Sequence, residues 1–128
     1  MRILKNAMAI VIATIWISIS EVVRNEYLVK SYWTKHYQGL GLSFPSASIN
    51  GVVWGVWSLL FAVIIYIISR KFSLLNTIII AWLSGFVIMW VVIGNLGVLP
   101  FWMLGYAVPL SILEAFIASL IINKMQVV

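Results

Sequence analysis

The sequence predicts an all-α integral membrane protein, a four-helix transmembrane bundle with left-handed packing. Three observations carry this. Hydrophobic residues make up 64% of the 128 and charged residues 9%, against roughly 45–50% and about 25% in soluble domains. The apolar residues gather into four runs, each long enough to cross a hydrocarbon core of about 30 Å as a helix. The polar breaks between the runs are short, so residues 1–128 read as a single transmembrane domain with no room for a soluble module.

The first span is expected over about residues 7–23, after a start carrying Arg2 and Lys5. A basic start, a short apolar core and Ser18-Ile19-Ser20 also mimic a signal peptide; the run is read as a retained span. No helix breaker stands between Glu21 and Gln38, so this helix can extend to about residue 37, supported by Glu26 and Lys30 four residues apart. Gly39, Gly41 and Pro45 then break it, leaving residues 24–50 as the one sizeable loop. That loop is rich enough in aromatics (Tyr32, Trp33, Tyr37, Phe44) to lie on the interface or fold over the bundle mouth. The second span covers about 51–68 and stops at Ser69-Arg70-Lys71. The third covers about 74–93 and ends in the Gly94-Asn95-Leu96-Gly97 turn. The fourth covers about 101–122, with Pro109 expected to kink it.

Lysine and arginine fall unevenly about these spans. Arg2, Lys5, Arg70, Lys71 and Lys124 lie on the side of the termini, against Arg24, Lys30 and Lys35 opposite. The positive-inside rule therefore expects a multi-pass protein of the cell membrane with both termini cytoplasmic. The net charge of +5 reads as this surface bias and not as nucleic-acid binding, because the basic residues are scattered.

Stepping along each span by alternating fours and threes collects the small and polar side chains on one face. The first gives Thr14, Ser18, Glu21 and Asn25; the second Gly51, Gly55, Ser58 and Ala62; the third Thr77, Ala81 and Ser84, with Gly85 beside it and Asn95 further along; the fourth Ala107, Ser111, Glu114 and Ala118. In lipid, helices associate through such close-packing and polar contacts, so these faces are expected to point inward. Gly51-Val52-Val53-Trp54-Gly55 matches the GxxxG form, which serves contact within a chain or between chains.

Catalytic chemistry has little to work with. There is no cysteine, no aspartate and a single histidine, His36, which excludes thiol chemistry, a Ser-His-Asp triad and a usual zinc site. No catalytic residue, metal or cofactor is expected. The candidates for a proton, cation or substrate site are instead Glu114, Glu21, Arg24, Asn25, Ser111 and Ser18. Glu114 lies eight residues inside the fourth span, roughly 12 Å deep, where a carboxylate must be paired, hydrated or protonated. Glu21 lies sixteen residues beyond Lys5, roughly 24 Å up the first helix, with Arg24 and Asn25 on its next turn. These heights separate the two acids by about 10 Å or more, the two ends of a hydrated path and not a carboxylate dyad.

The four spans, the acid in the first, Trp33, Tyr37, Leu40 and Gly41 in a W-x-x-x-Y-x-x-L-G-like stretch with its last two members offset by a residue, and the Gly94-Asn95 turn together resemble small uncharacterised bacterial four-span membrane proteins grouped as domains of unknown function. That resemblance covers most of the chain and implies the bundle but no activity. Small multidrug transporters also have four spans and a Glu in the first. Glu21 stands near the outer end and lacks their surrounding motif, so that likeness is one of size alone. The leading expectation is a small transporter or channel-like protein using intramembrane Glu for a proton or cation. Its rival is a non-transporting assembly or regulatory subunit, and a lipid-modifying enzyme comes third for want of His, Asp and Cys clusters. The expected partners are the lipid bilayer and either a second copy of the chain or another membrane protein.

Overall fold

The computed structural model describes residues 1–128. It has no strand. Helix α1 (Arg2–Val22) runs on through a π-helical segment (Val23–Leu28), and after a break at Val29 (φ −120°, ψ 8°) α2 (Lys30–Gly39) follows. Then come α3 (Ser48–Ser69), α4 (Leu74–Trp82), a second π-helical segment (Leu83–Val87), α5 (Ile88–Asn95), a 3₁₀ turn (Phe101–Met103) and α6 (Leu104–Met125). Four helical stretches, Arg2–Leu28, Ser48–Ser69, Leu74–Asn95 and Phe101–Met125, are long and apolar enough to cross a membrane.

The four stretches form an all-helical bundle in which α1 packs on α3 and α6, and α4 packs on the same two helices from the opposite corner. Small residues let the backbones close up. Ala9, Ala13, Ala62, Ala81, Ala115 and Ala118 are fully buried, and Ile17, Phe61, Ile65, Phe86 and Ile122 fill the space between them. Only 25 of the 128 residues are buried, while Val11, Ile15, Ile19, Val52, Val56, Leu60 and Ile67 face outward. An exposed apolar surface of this kind is compatible with a multi-pass membrane protein.

Each end of the bundle is tied. At one, Asn6 Nδ2 donates to the Val127 carbonyl (3.1 Å), the Val127 N–H donates to Asn6 Oδ1 (2.6 Å), and Arg70 Nη1 reaches the same carbonyl (3.2 Å), so both termini and the α3–α4 turn meet. At the other, His36 Nε2 lies 2.7 Å from the Gly97 carbonyl, joining α2 to the α5–α6 turn. Gly97 has φ +79°, a left-handed conformation that glycine adopts without steric penalty.

Three expectations need correction. The segment 24–50 is not one loop: it is helical to Gly39, and the irregular stretch is residues 40–47, held down by Phe44 stacking on Trp33 with centroids 5.7 Å apart. The inward face of the third span does not include Ser84 or Asn95, both of which are exposed. The π segment at Leu83–Val87 adds a residue to its turn, so Phe86 and Trp90 turn inward in place of Ser84 and Ile88. The GxxxG pair does not pack helices within the chain: a Cβ at Gly51 or Gly55 would meet nothing within 4 Å. The close glycine contact is at Gly85, where a Cβ would stand 2.5 Å from Phe61 Cε1. α6 meanwhile continues through Pro109, and the carbonyl that its ring crowds belongs to Gly105, a residue with no side chain of its own to add to the clash.

Candidate functional site

At the C-terminal end of α1 the sequence Glu21-Val22-Val23-Arg24-Asn25 places an acid, a cation and an amide on one face, because residues three and four apart are neighbours on a helix. All three are buried, at 3%, 5% and 8% exposure. Arg24 Nη2 donates to Glu21 Oε1 at 2.5 Å, and Asn25 Nδ2 donates to Glu21 Oε2 at 3.0 Å. Asn25 is held in turn by Trp33 Nε1 of α2, 3.3 Å from its Oδ1.

The guanidinium does not stop at Glu21. Arg24 Nη1 lies 3.5 Å from Glu114 Oε1 on α6, so one cation bridges both carboxylates. The expected separation of the two acids is therefore corrected. α1 and α6 run antiparallel, and helical side chains lean toward their own N-terminus, so Glu21 leans down and Glu114 leans up into the same gap. Backbone heights alone miss this convergence. Trp16 Nε1 donates to the Glu114 carbonyl at 3.1 Å, fixing the two helices at this level.

The other face of Arg24 lies over Phe86, with Cζ 5.3 Å from the ring centroid. Phe86 is in the second π segment, and Arg24 in the first. Both register shifts thus converge on one contact: the first turns Val29 inward in place of Leu28, the second turns Phe86 inward in place of Ser84. π segments are rare and concentrate at functional sites.

No family model, curated protein or solved structure matches the chain.

Two cavities meet at the cluster. The larger, about 410 Å³, lies under the 44–48 segment and has a mixed lining, with Ser18, Glu21, Asn25, Glu26, Asn50 and Ser58 as its polar members. The smaller, about 190 Å³, is walled by Trp33, Trp54, Trp57, Phe86 and Trp90, with Glu21, Arg24 and Asn25 at its base. Glu114 is completely buried and lines neither; its Oε2 has no hydrogen-bond partner.

Of the residues singled out in the sequence, Glu21, Arg24, Asn25 and Glu114 come together and Ser18 lines the cavity beside them. Ser111 does not join. Its hydroxyl accepts from Trp82 Nε1 and donates to the Val108 carbonyl, both at 2.9 Å, which commits it to packing α4 on α6. Gly51, Gly55 and Ser58 line the larger cavity, and Ala81 is buried in the core. Phe86, Trp33 and Trp16 were missed. For Phe86 the signal was hidden by the register shift; Trp33 and Trp16 each reach the cluster through an indole N–H, which composition and periodicity do not reveal.

Proposed function

We propose that the chain is a small membrane transporter or channel-like protein whose Glu21–Arg24–Glu114 cluster takes up and releases a proton or monovalent cation. The observation that carries this reading is the position of Glu21: it lines the larger cavity, and its carboxylate is linked through Arg24 to the sealed Glu114. Two carboxylates and one guanidinium sum to minus one. An uncompensated charge is costly in a buried site, so one proton or cation on the pair brings the cluster to neutrality. Because Glu114 is fully buried and lines neither of the two cavities, the site is reached from one side, and passage to the other requires the bundle to rearrange. The lysine and arginine asymmetry supports placing the termini in the cytoplasm and this cavity outside.

The test is flux into liposomes containing a pH-sensitive dye. The intact protein should dissipate an imposed proton or cation gradient, and Glu21→Gln and Glu114→Gln should each slow it at least about tenfold, roughly 1.4 kcal/mol of barrier. Flux unchanged in both variants removes the reading.

A second reading, an assembly or regulatory subunit, has one observation in its favour: the Gly51–Gly55 face is left without a packing partner inside the chain. It requires that Gly55→Leu abolish association with a second copy or another membrane protein, and a chain that purifies alone whatever stands at residue 55 dismisses it.

A further inference from the structure

The two cavities differ in chemistry but share Glu21, Asn25 and Trp54. We propose that together they form one binding site for an amphiphilic organic cation, an ammonium or phosphonium ion carrying rings or chains; this names the substrate of the site and rests on the carrier reading above.

Charge selects the sign. The charged residues lining the larger chamber are Glu21 and Glu26, both acids. Glu26 pairs with Lys30 Nζ at 2.9 Å, but Lys30 is not among the residues that line the chamber. The cation that lines the smaller chamber, Arg24, is already committed: Nη2 to Glu21, Nη1 to Glu114 and its flat face to Phe86. An anion entering here would find acids in front and an occupied guanidinium behind. A cation would find the carboxylate of Glu21, whose two oxygens each accept one hydrogen bond from a side chain and have lone pairs to spare.

Aromatic faces select the rest of the ligand. Trp57 is stacked against Phe61 with centroids 5.0 Å apart, and Trp90 packs on Trp82 and Phe86. Trp54 is different. Its indole pairs with no other ring, the residue stands 42% exposed, and it lines both chambers, as Glu21 does. An indole face beside a carboxylate attracts a poorly hydrated cation through the ring quadrupole and the formal charge together. The apolar part of the ligand then lies among Val53, Trp57 and Met89 in the smaller chamber. The combined space is of the size that encloses a drug-sized molecule.

Tetraphenylphosphonium and tetraphenylborate have nearly the same shape and opposite charge, which isolates the sign of the site. Equilibrium dialysis of the full chain in detergent, against protein-free micelles, should show saturable binding of the phosphonium and none of the borate. Trp54→Ala should weaken phosphonium binding about tenfold, whereas Trp102→Ala, at an indole 87% exposed that lines neither chamber, should leave it unchanged. Glu21→Gln should weaken it further; since that variant disturbs the buried cluster, Trp54→Ala carries the decision. Equal binding of the borate, or phosphonium binding indifferent to residue 54, overturns the proposal. Proton flux that persists without phosphonium binding overturns it while leaving the carrier reading intact, and binding without flux does the reverse.

Discussion

Arg24 holds two acids and one aromatic ring, so removing it isolates more than one partner. Taking one member from a buried ion pair leaves the other charge uncompensated, at a cost of about 3–5 kcal/mol. Arg24→Gln should therefore lower the thermal midpoint in detergent sharply. Replacing the acids as well, in Arg24→Gln with Glu21→Gln and Glu114→Gln, should recover most of the loss, because no buried charge then remains. Failure of the triple variant to recover would mean that the cluster does not matter through its charge. At this scale the sequence was informative in part. The Glu21, Arg24 and Asn25 grouping follows from their spacing on one helix, and the burial of Glu114 follows from its place in an apolar run. Their union does not follow, since it depends on which way two side chains lean across an antiparallel pair.

Among the helices, the decisive features are the two π segments. A seam read at steps of three and four assumes an unbroken α-helical period, and it remains correct for Thr77, Ala81, Ser58 and Ala62, all buried. It fails beyond residue 82, where the added residue rotates the rest of the helix. Gly85 is the one residue of this segment that departs from an ordinary apolar span, and a single glycine does not reveal a change of helical period, which is why Ser84 reads as inward. The same rotation presses Gly85 against Phe61. That ring is clamped between Trp57 and Phe86, at centroid distances of 5.0 and 5.6 Å, and cannot swing away. Gly85→Ala should destabilise the bundle by about 1–3 kcal/mol, as overpacked cores do, while Gly55→Ala, facing open space, should stay within about 0.5 kcal/mol of the parent. Comparable losses at both positions in a denaturation series would show that the helix faces have been misassigned.

Taken as a whole, the molecule is a bundle closed at one end and hollowed at the other. The Asn6–Val127 clasp and the alanine-rich core close the end that carries the termini, and the cavities open beneath the 44–48 segment at the far end. Four apolar runs make the bundle legible from the sequence, since each must bury its backbone polar groups in a helix to enter lipid. The hollow is not legible, because it arises where two glycines, several serines and a short loop fail to fill space between α1 and α3. One-sided access to the charge cluster is the claim on which the transport and ligand readings both depend. The chain has no native cysteine, so single cysteines report access cleanly. In oriented vesicles, Ser18→Cys and Asn50→Cys should react with a membrane-impermeant maleimide from the side opposite the termini, and Ser119→Cys, wholly buried, from neither side. Labelling of residue 18 from the side of the termini, or of residue 119 from either side, would contradict the account.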